Sequence, residues 1–369
     1  MISSDDIKLT SEFEKAFETL EYTGSHVFIT GKAGTGKSTF LDYFRKNTKK
    51  NIVVVAPTGV SALNVRGQTI HSFFGLEPRF VDVSNIGRRR NRKTYQQIDL
   101  VIIDEISMVR ADVMDGIEKV LRVNGPQQGM PFGGVQMCVI GDLFQLPPVI
   151  TGEEEEYFKR FYNSPFFFDA HSFDMDDFEL VRFNNIFRQQ EDGFIDTLNR
   201  VRVGHKTPEI LNFLNERHGV DMEDYQSSVT LCSTNKIANT LNQSKLKELK
   251  GTPYTFKGDV KGEFDSETGR LPCPERLVLK EGAQVMFVKN DPDKRWVNGT
   301  IGRVVNLSLK NVEVEIFKNG EPRRYKIEQE KWPSIRYSFD EEEDKLVEEE
   351  IGSFSQYPLI LAWAITIHK

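Results

Sequence analysis

The chain has 369 residues, enough for two or three domains with cores of their own. Its composition is globular, 38% hydrophobic and 28% charged, and no apolar run approaches the ~18 residues of a membrane-spanning helix. The formal charge of −7 argues against a uniformly basic nucleic-acid binder, but the acidity is local: Asp340 to Glu350 holds eight acidic residues and one lysine. Glu153 to Glu156 is a second acidic tract, and each tract reads as a solvated loop or turn. The rest of the chain has a slight basic excess, so basic grooves remain open to it. Cys138, Cys232 and Cys273 are odd in number and far apart, and Cys138 lies in an apolar run. Buried free thiols and a reducing, cytoplasmic compartment fit, with no membrane partner and no signal-peptide pattern.

In chain order, Ile7, Leu9, Phe13, Ala16, Phe17 and Leu20 recur at helical spacing. Val27 to Thr30 predicts a buried strand, and Phe40, Leu41, Tyr43 and Phe44 predict an amphipathic helix after it. Asn51 to Ala56 reads as a second buried strand ending in Pro57-Thr58-Gly59, with a helical start to the segment that follows. The pattern breaks from Glu77 to Gln97, where Arg88, Arg89, Arg90, Arg92 and Lys93 form a basic run, either a phosphate patch or an exposed turn. An apolar strand then ends at Asp104-Glu105, a helix spans Arg110 to Arg122, and a further strand closes in Asp142 to Gln145 and Pro147-Pro148.

Apolar strands alternating with helices predict a parallel sheet covered on both faces, with ligands outside the strand carboxyl ends. Four polar clusters fall at four such ends and would share one rim. Beyond the Glu-rich tract, FELVRF predicts a strand, and helices follow near Gly193–Val203 and Thr207–Arg217. VTLCST and a helix from Asn235 to Lys250 open a second α/β unit. From about Gly258 to Gly352 short alternating strands predict a small all-β module, with Lys318-Asn319-Gly320-Glu321 as a hairpin turn. Trp296 in this module reads as core, and the last stretch returns to a buried-strand texture.

Between the first strand and its helix lies Gly31-Lys32-Ala33-Gly34-Thr35-Gly36-Lys37-Ser38, which fits G-x-x-x-x-G-K-[ST] in its required context. Glycines let successive N–H groups turn around a phosphate, and the helix N-terminus adds its positive end. Gly31, Ala33, Gly34, Thr35, Gly36, Lys37, Ser38 and Thr39 are therefore assigned to a nucleoside triphosphate. Lys37 reaches the β- and γ-phosphates, and the Ser38 hydroxyl ligates Mg²⁺. Asp104 holds the same ion, directly or through water, while Glu105 is placed to deprotonate the attacking water. Gln145 is a candidate to orient that water and sense the γ-phosphate.

Taken in order, GKAGTGKST, VVVAPTGVSALNVRGQTIHSFF, LVIIDEISMV, PFGGVQMCVIGDLFQLPPV, FRQ and AWAITIHK resemble the Pif (petite integration frequency) family of superfamily 1B DNA helicases over essentially the whole chain. The resemblance implies an α/β fold of two RecA-like P-loop domains, with a small wedge insertion in the first and an SH3-like β-barrel inserted in the second. The boundaries expected are 1–190 with the wedge near 77–97, then 191–257, the barrel at 258–352, and 353–369. It also implies a monomeric, ATP- and Mg²⁺-dependent motor moving 5′-to-3′ on single-stranded DNA in genome maintenance. Forked duplex, RNA–DNA hybrid and G-quadruplex DNA would be its substrates. By that likeness Arg188 contacts the γ-phosphate. Pro57, Thr58, Gly59, Asn64, His71 and Phe74 line a DNA track, faced by Thr366 and His368. The residues alone leave open which of Phe73 and Phe74 is core, and whether His71 is.

Two features depart from the pattern. Such helicases carry a glutamine ahead of the P-loop that reads adenine, and the matching position here is Phe13, which predicts weaker adenine selectivity. The sequence also stops at Lys369 inside a motif the family continues with Ser-Gln-Gly, which predicts an incomplete second domain and weak or absent unwinding, even where ATP and DNA still bind. Two other classes fit the residues: a P-loop regulatory ATPase acting on a protein partner, and a nucleic-acid-binding module with a vestigial nucleotide site.

Overall fold

The computed structural model describes residues 10–32, 34–77, 79–150, 152, 154–185, 192–216, 218–219, 228–264, 271–293, 295–318, 321–340 and 345–366. Two compact units divide the chain, Ile2–Phe213 with Ile335–Glu350, and Leu214–Ser334 with Ile351–Lys369.

The first unit opens with α1 (Ser11–Tyr22), whose Thr10 cap accepts a hydrogen bond from the Phe13 N–H. Phe13, Ala16 and Leu20 of the predicted stripe are buried, while Ile7 and Leu9 lie outside the described residues. Then come β1 (His26–Gly31), α2 (Lys37–Asn47), β2 (Ile52–Ala56), α3 (Gly59–Asn64), β3 (Gln68–Thr69), α4 (Ile70–Phe74), α5 (Arg92–Gln96) and β4 (Leu100–Ile103). The unit continues through α6 (Ala111–Asn124), β5 (Gln136–Gly141), α7 (Glu155–Phe161), β6 (Phe178–Phe183), α8 (Asp192–Arg202) and α9 (Pro208–Asn215).

Six strands form a parallel sheet in the order β3-β2-β4-β5-β1-β6. Every residue of β4 and β5 is buried, as expected of a sheet with helices on both faces. Successive strand residues divide between two cores. Val53, Val55, Val101, Ile103, Met137 and Val139 face one that includes α4 and α6. Val54, Ala56, Leu100, Ile102, Cys138 and Ile140 face the other, which includes Phe13, Phe40 and Phe44. Each fully buried side chain of this kind contributes about 1.5–3 kcal/mol, so the strand framework is rigid where its ends carry chemistry.

The second unit holds β7 (Thr230–Cys232), α10 (Asn235–Glu248), β8 (Tyr254–Lys257), β9 (Asp259–Gly262), β10 (Arg276–Leu279), β11 (Gln284–Phe287), β12 (Ile301–Ser308), β13 (Asn311–Lys318) and β14 (Glu321–Ile327). β15 (Glu330–Asp340) and β16 (Lys345–Gln356) are divided, with residues 335–350 in the first unit, and the second unit ends in β17 (Leu359–Leu361) and β18 (Ala364–Thr366). Its main sheet runs β14-β13-β12-β11-β17 with antiparallel neighbours. In β12 and β13 buried and more exposed residues alternate, and a register shift between Val304 and Asn306 moves the buried phase from Val304 to Leu307. Pairing of β13 with β14 extends to Lys318 and Glu321, the flanks of the expected hairpin turn, whose Asn319 and Gly320 lie outside the described residues. Trp296 is core, stacked on Phe287 at 4.4 Å between ring centroids. Strands β7 and β18 pair in parallel beside α10, whose Asn242 amide donates to the Ala364 carbonyl at 2.8 Å.

Several expectations need correction. The acidic tracts are not simple loops: Glu155 and Glu156 open α7, Asp340 ends β15, and Lys345 to Glu350 belong to β16. Acidic residues are tolerated there because the strand's buried work falls to other positions, and because Glu348 pairs with Arg45. Tyr337 of β15 is buried, and its hydroxyl accepts from the Val54 N–H at 3.2 Å. That N–H is left free because β3 is only two residues long and pairs with Val55 and Ala56. Residues 335–350 therefore belong to the first unit, not to a β module ending at 352, and α8 and α9 belong there too, so the first unit runs past 190. Part of the basic run is helical, with Arg92 and Lys93 in α5, anchored by the Tyr95 hydroxyl donating to the Phe73 carbonyl at 2.7 Å. All three cysteines are buried and free. Among the described residues, no helix is long and apolar enough to cross a membrane.

Candidate active site

Strands β2, β4, β5 and β1 are neighbours, and each polar cluster found in the sequence follows the carboxyl end of one of them. Pro57-Thr58-Gly59 follows β2, Asp104-Glu105 follows β4, Asp142 to Gln145 follow β5, and the P-loop follows β1. Register fixes their common level: Val55 pairs with Ile103, Ile103 with Val139, and Thr30 with Gly141. Four clusters at one level on adjacent strands make a single rim, as the sheet pattern required.

The P-loop is shaped by backbone that only glycine adopts at low cost. Gly36, the residue capping α2, has φ +88°, in the left-handed region. At Gly31 a Cβ would stand 2.6 Å from the Phe183 carbonyl oxygen, so the loop enters flush against β6. The N-terminus of α2 has no side-chain cap and no acidic residue in its first turn. Its N–H groups and positive end are thus uncommitted, which suits a phosphate. Lys37 bends over the loop, donating to the Gly31 carbonyl at 2.7 Å and the Lys32 carbonyl at 3.1 Å. Burial pulls its ammonium below the usual lysine range, against the opposing charges of Asp142, Glu105 and Asp104. Thr35 is buried, its hydroxyl given to the Lys32 carbonyl, and Ser38 and Thr39 stand in the first turn of α2. Ala33 lies outside the described residues.

Burial, with the charge of Glu105 beside it, pushes the Asp104 carboxyl up to about 7. Burial likewise raises Glu105, with Lys37 opposing. Glu105 takes φ +52°, a left-handed conformation uncommon for a side chain of its size and of the kind that collects at reactive sites. These acids fit Mg²⁺: a dication at Asp104 would offset the penalty of keeping a buried carboxylate charged. Among the described residues no group of three or more His, Cys, Asp or Glu could hold a metal alone.

Gln145 is exposed, and its amide donates to Asp142 Oδ2 at 3.3 Å. Arg202 of α8, which the sequence gave no reason to select, grips the same carboxylate, Nη2 to Oδ1 at 2.6 Å. Sixty positions separate the pair, so no spacing rule could have found it.

Along the rest of the rim, the Thr58 side chain caps α3, accepting from the Ser61 N–H at 3.1 Å. Pro57, Thr58 and Gly59 are partly exposed and Asn64 is exposed. His71 is half-buried, and burial followed by the charge of Arg110 holds its imidazole below the usual histidine range. Phe74 corrects an expectation: it is 0% exposed, and Phe73 is 6% exposed, so neither ring offers a face to a base. The two meet edge to face at 4.9 Å, each packing against Tyr95, because α4 turns its aromatic side into the core. Thr366 in the second unit is also buried, with its hydroxyl donated to Asn235 at 3.1 Å rather than displayed. Phe13, at the expected adenine-reading position, packs against Phe183 and Phe40. Arg188 and His368 lie outside the described residues.

A P-loop at the end of one strand, a pair of carboxyl groups at the end of another, and a glutamine at the end of the strand between them define a P-loop ATP hydrolase. Residues 8–209 match the family model described as PIF1-like helicase. The ATP-dependent DNA helicase Pif1 of Bdellovibrio bacteriovorus is 32% identical over 376 residues, covering 99% of this chain and 80% of that protein. The crystal structure of Bacteroides sp Pif1 in complex with ADP-AlF4 aligns with a TM-score of 0.88 and 37% identity, over 98% of this chain and 84% of that one. Bacteroides Pif1 bound to ssDNA aligns with a TM-score of 0.64 and 36% identity, over 98% and 83%. The chain belongs to the PIF1-like helicase family.

Proposed function

We propose that this protein is an ATP-dependent DNA helicase that moves 5′-to-3′ along single-stranded DNA. The observation that carries the reading is the single rim at which Lys37, Asp104, Glu105, Asp142 and Gln145 follow adjacent strands. In this reading Mg²⁺-ATP sits on the P-loop, with Ser38 and Asp104 toward the ion. Glu105 takes the proton of the attacking water, Gln145 orients that water, and Arg188 completes the γ-phosphate contacts. Pro57, Thr58, Gly59, Asn64 and His71 meet the strand through backbone N–H groups, hydroxyl, amide and imidazole. Non-specific single-strand binding needs groups of these kinds. His368 is proposed as a further DNA contact.

Segment 77–97 serves as the wedge, and the antiparallel sheet β11 to β14 as an SH3-like insertion. Forked duplex, RNA–DNA hybrid and G-quadruplex DNA are the substrates, and the working unit is a monomer in the cytoplasm. The test is strand separation on duplexes carrying a single-stranded tail at one end only. ATP-dependent separation of the 5′-tailed duplex and none of the 3′-tailed one is expected, and the opposite preference contradicts the reading. Turnover indifferent to both would favour a regulatory ATPase with a protein partner.

A further inference from the structure

Asp142 is a buried carboxylate, 2% exposed, and a charge so placed persists only when its oxygens are answered. Four contacts answer them here. Arg202 binds in a fork, Nη2 to Oδ1 at 2.6 Å and Nε to Oδ2 at 3.3 Å. The Phe144 N–H donates to Oδ1 at 3.2 Å, and the Gln145 amide nitrogen donates to Oδ2 at 3.3 Å. Burial by itself would raise this carboxyl, but Arg202, Phe144 and Gln145 outweigh it and hold it below the usual carboxylate range. The fork is itself braced, since the guanidinium carbon lies 4.2 Å from the centre of the exposed Phe144 ring. Arg202 thus holds the turn that carries Gln145 at two points, the Asp142 carboxylate and the Phe144 ring.

We infer that Arg202 is a positioning residue for ATP hydrolysis, fixing Asp142 and through it the side-chain orientation of Gln145. This rests on the proposed role of Gln145. A glutamine amide has two N–H donors and one carbonyl acceptor, and at an exposed position it would ordinarily rotate. Here one N–H is committed to Asp142 Oδ2, which sets the amide plane and turns Oε1 away from the carboxylate. Oε1 is the acceptor end of the amide, the end that the proposed role of Gln145 offers to a water. Without Arg202 the Asp142 carboxylate loses the two-pronged contact that holds it in place, and the Gln145 N–H loses a fixed partner. The glutamine would then sample orientations in which Oε1 misses the water.

A double-mutant cycle tests the chain of contacts. ATP turnover at saturating single-stranded oligonucleotide is measured for wild type, R202Q, Q145A and the double variant, with affinity for a fluorescent ADP analogue measured alongside. R202Q is expected to lower kcat roughly 10- to 100-fold with ADP affinity unchanged. In the Q145A background R202Q should cost nothing further, because the group it positions is gone. Loss of the same factor in both backgrounds, or a parallel loss of ADP affinity, overturns the inference and makes Arg202 a direct phosphate contact or a structural residue. Q145A as active as wild type would instead show that Gln145 has no catalytic role, which removes the underlying reading as well. If R202Q fails to fold by thermal melting, R202K carries the same cycle with the same two outcomes.

Discussion

The parallel sheet of the first unit and the antiparallel sheet of the second are built on opposite plans. In β4 and β5 every side chain is buried, and polar residues appear only where the strands stop. In β12 and β13 buried and more exposed residues alternate on either side of one register shift, and β12 returns into β13 through the short turn at Leu309 and Lys310. Parallel strands must be linked by crossovers, so their carboxyl ends are freed together on one side of the sheet. Antiparallel strands return immediately and expose one face along their length. The first plan concentrates reactive groups at one rim, and the second spreads polar groups where they do little beyond solvating a surface.

Substitutions should separate the two plans. The largest effect is expected at Glu105→Gln, which keeps the shape at the end of β4 but cannot accept a proton. ATP turnover should fall about 10²- to 10⁴-fold, with nucleotide binding and thermal stability kept. A loss below tenfold in stopped-flow phosphate release would mean the base lies elsewhere. Next comes Phe287→Ala in the second unit, which removes a fully buried ring from its stack on Trp296. Urea unfolding should show that unit weakened by about 3–5 kcal/mol. Turnover without DNA, measured well below the transition, should stay within about twofold because that core adds no group to the rim. A collapse of kcat there would erase the contrast drawn between the units.

Local chemistry was legible in the sequence where it is contiguous. The P-loop, the acid pair at Asp104-Glu105 and the strands leading to them are written in neighbouring residues, and sheet topology then brought them to one level. Pairings that cross the chain were not legible. Arg202 looks like one more basic residue at the end of an amphipathic helix until α8 lands beside Asp142. Phe74 sits in a segment resembling a DNA track, yet α4 is five residues long and its aromatic side completes the core. The acidic tract before Gly352 suggested solvent, but Tyr337 and Glu348 tie its strands to Val54 and Arg45, partners far along the chain that no local pattern reveals.

The central claim is that the rim of the parallel sheet turns over ATP and that a DNA strand speeds it. Phosphate release should be measured for wild type and Lys37→Ala, with and without an oligothymidylate. Wild-type turnover should rise with the oligonucleotide, while Lys37→Ala should lose roughly 100-fold or more under both conditions and still bind the strand. DNA-stimulated turnover persisting in Lys37→Ala would contradict the account.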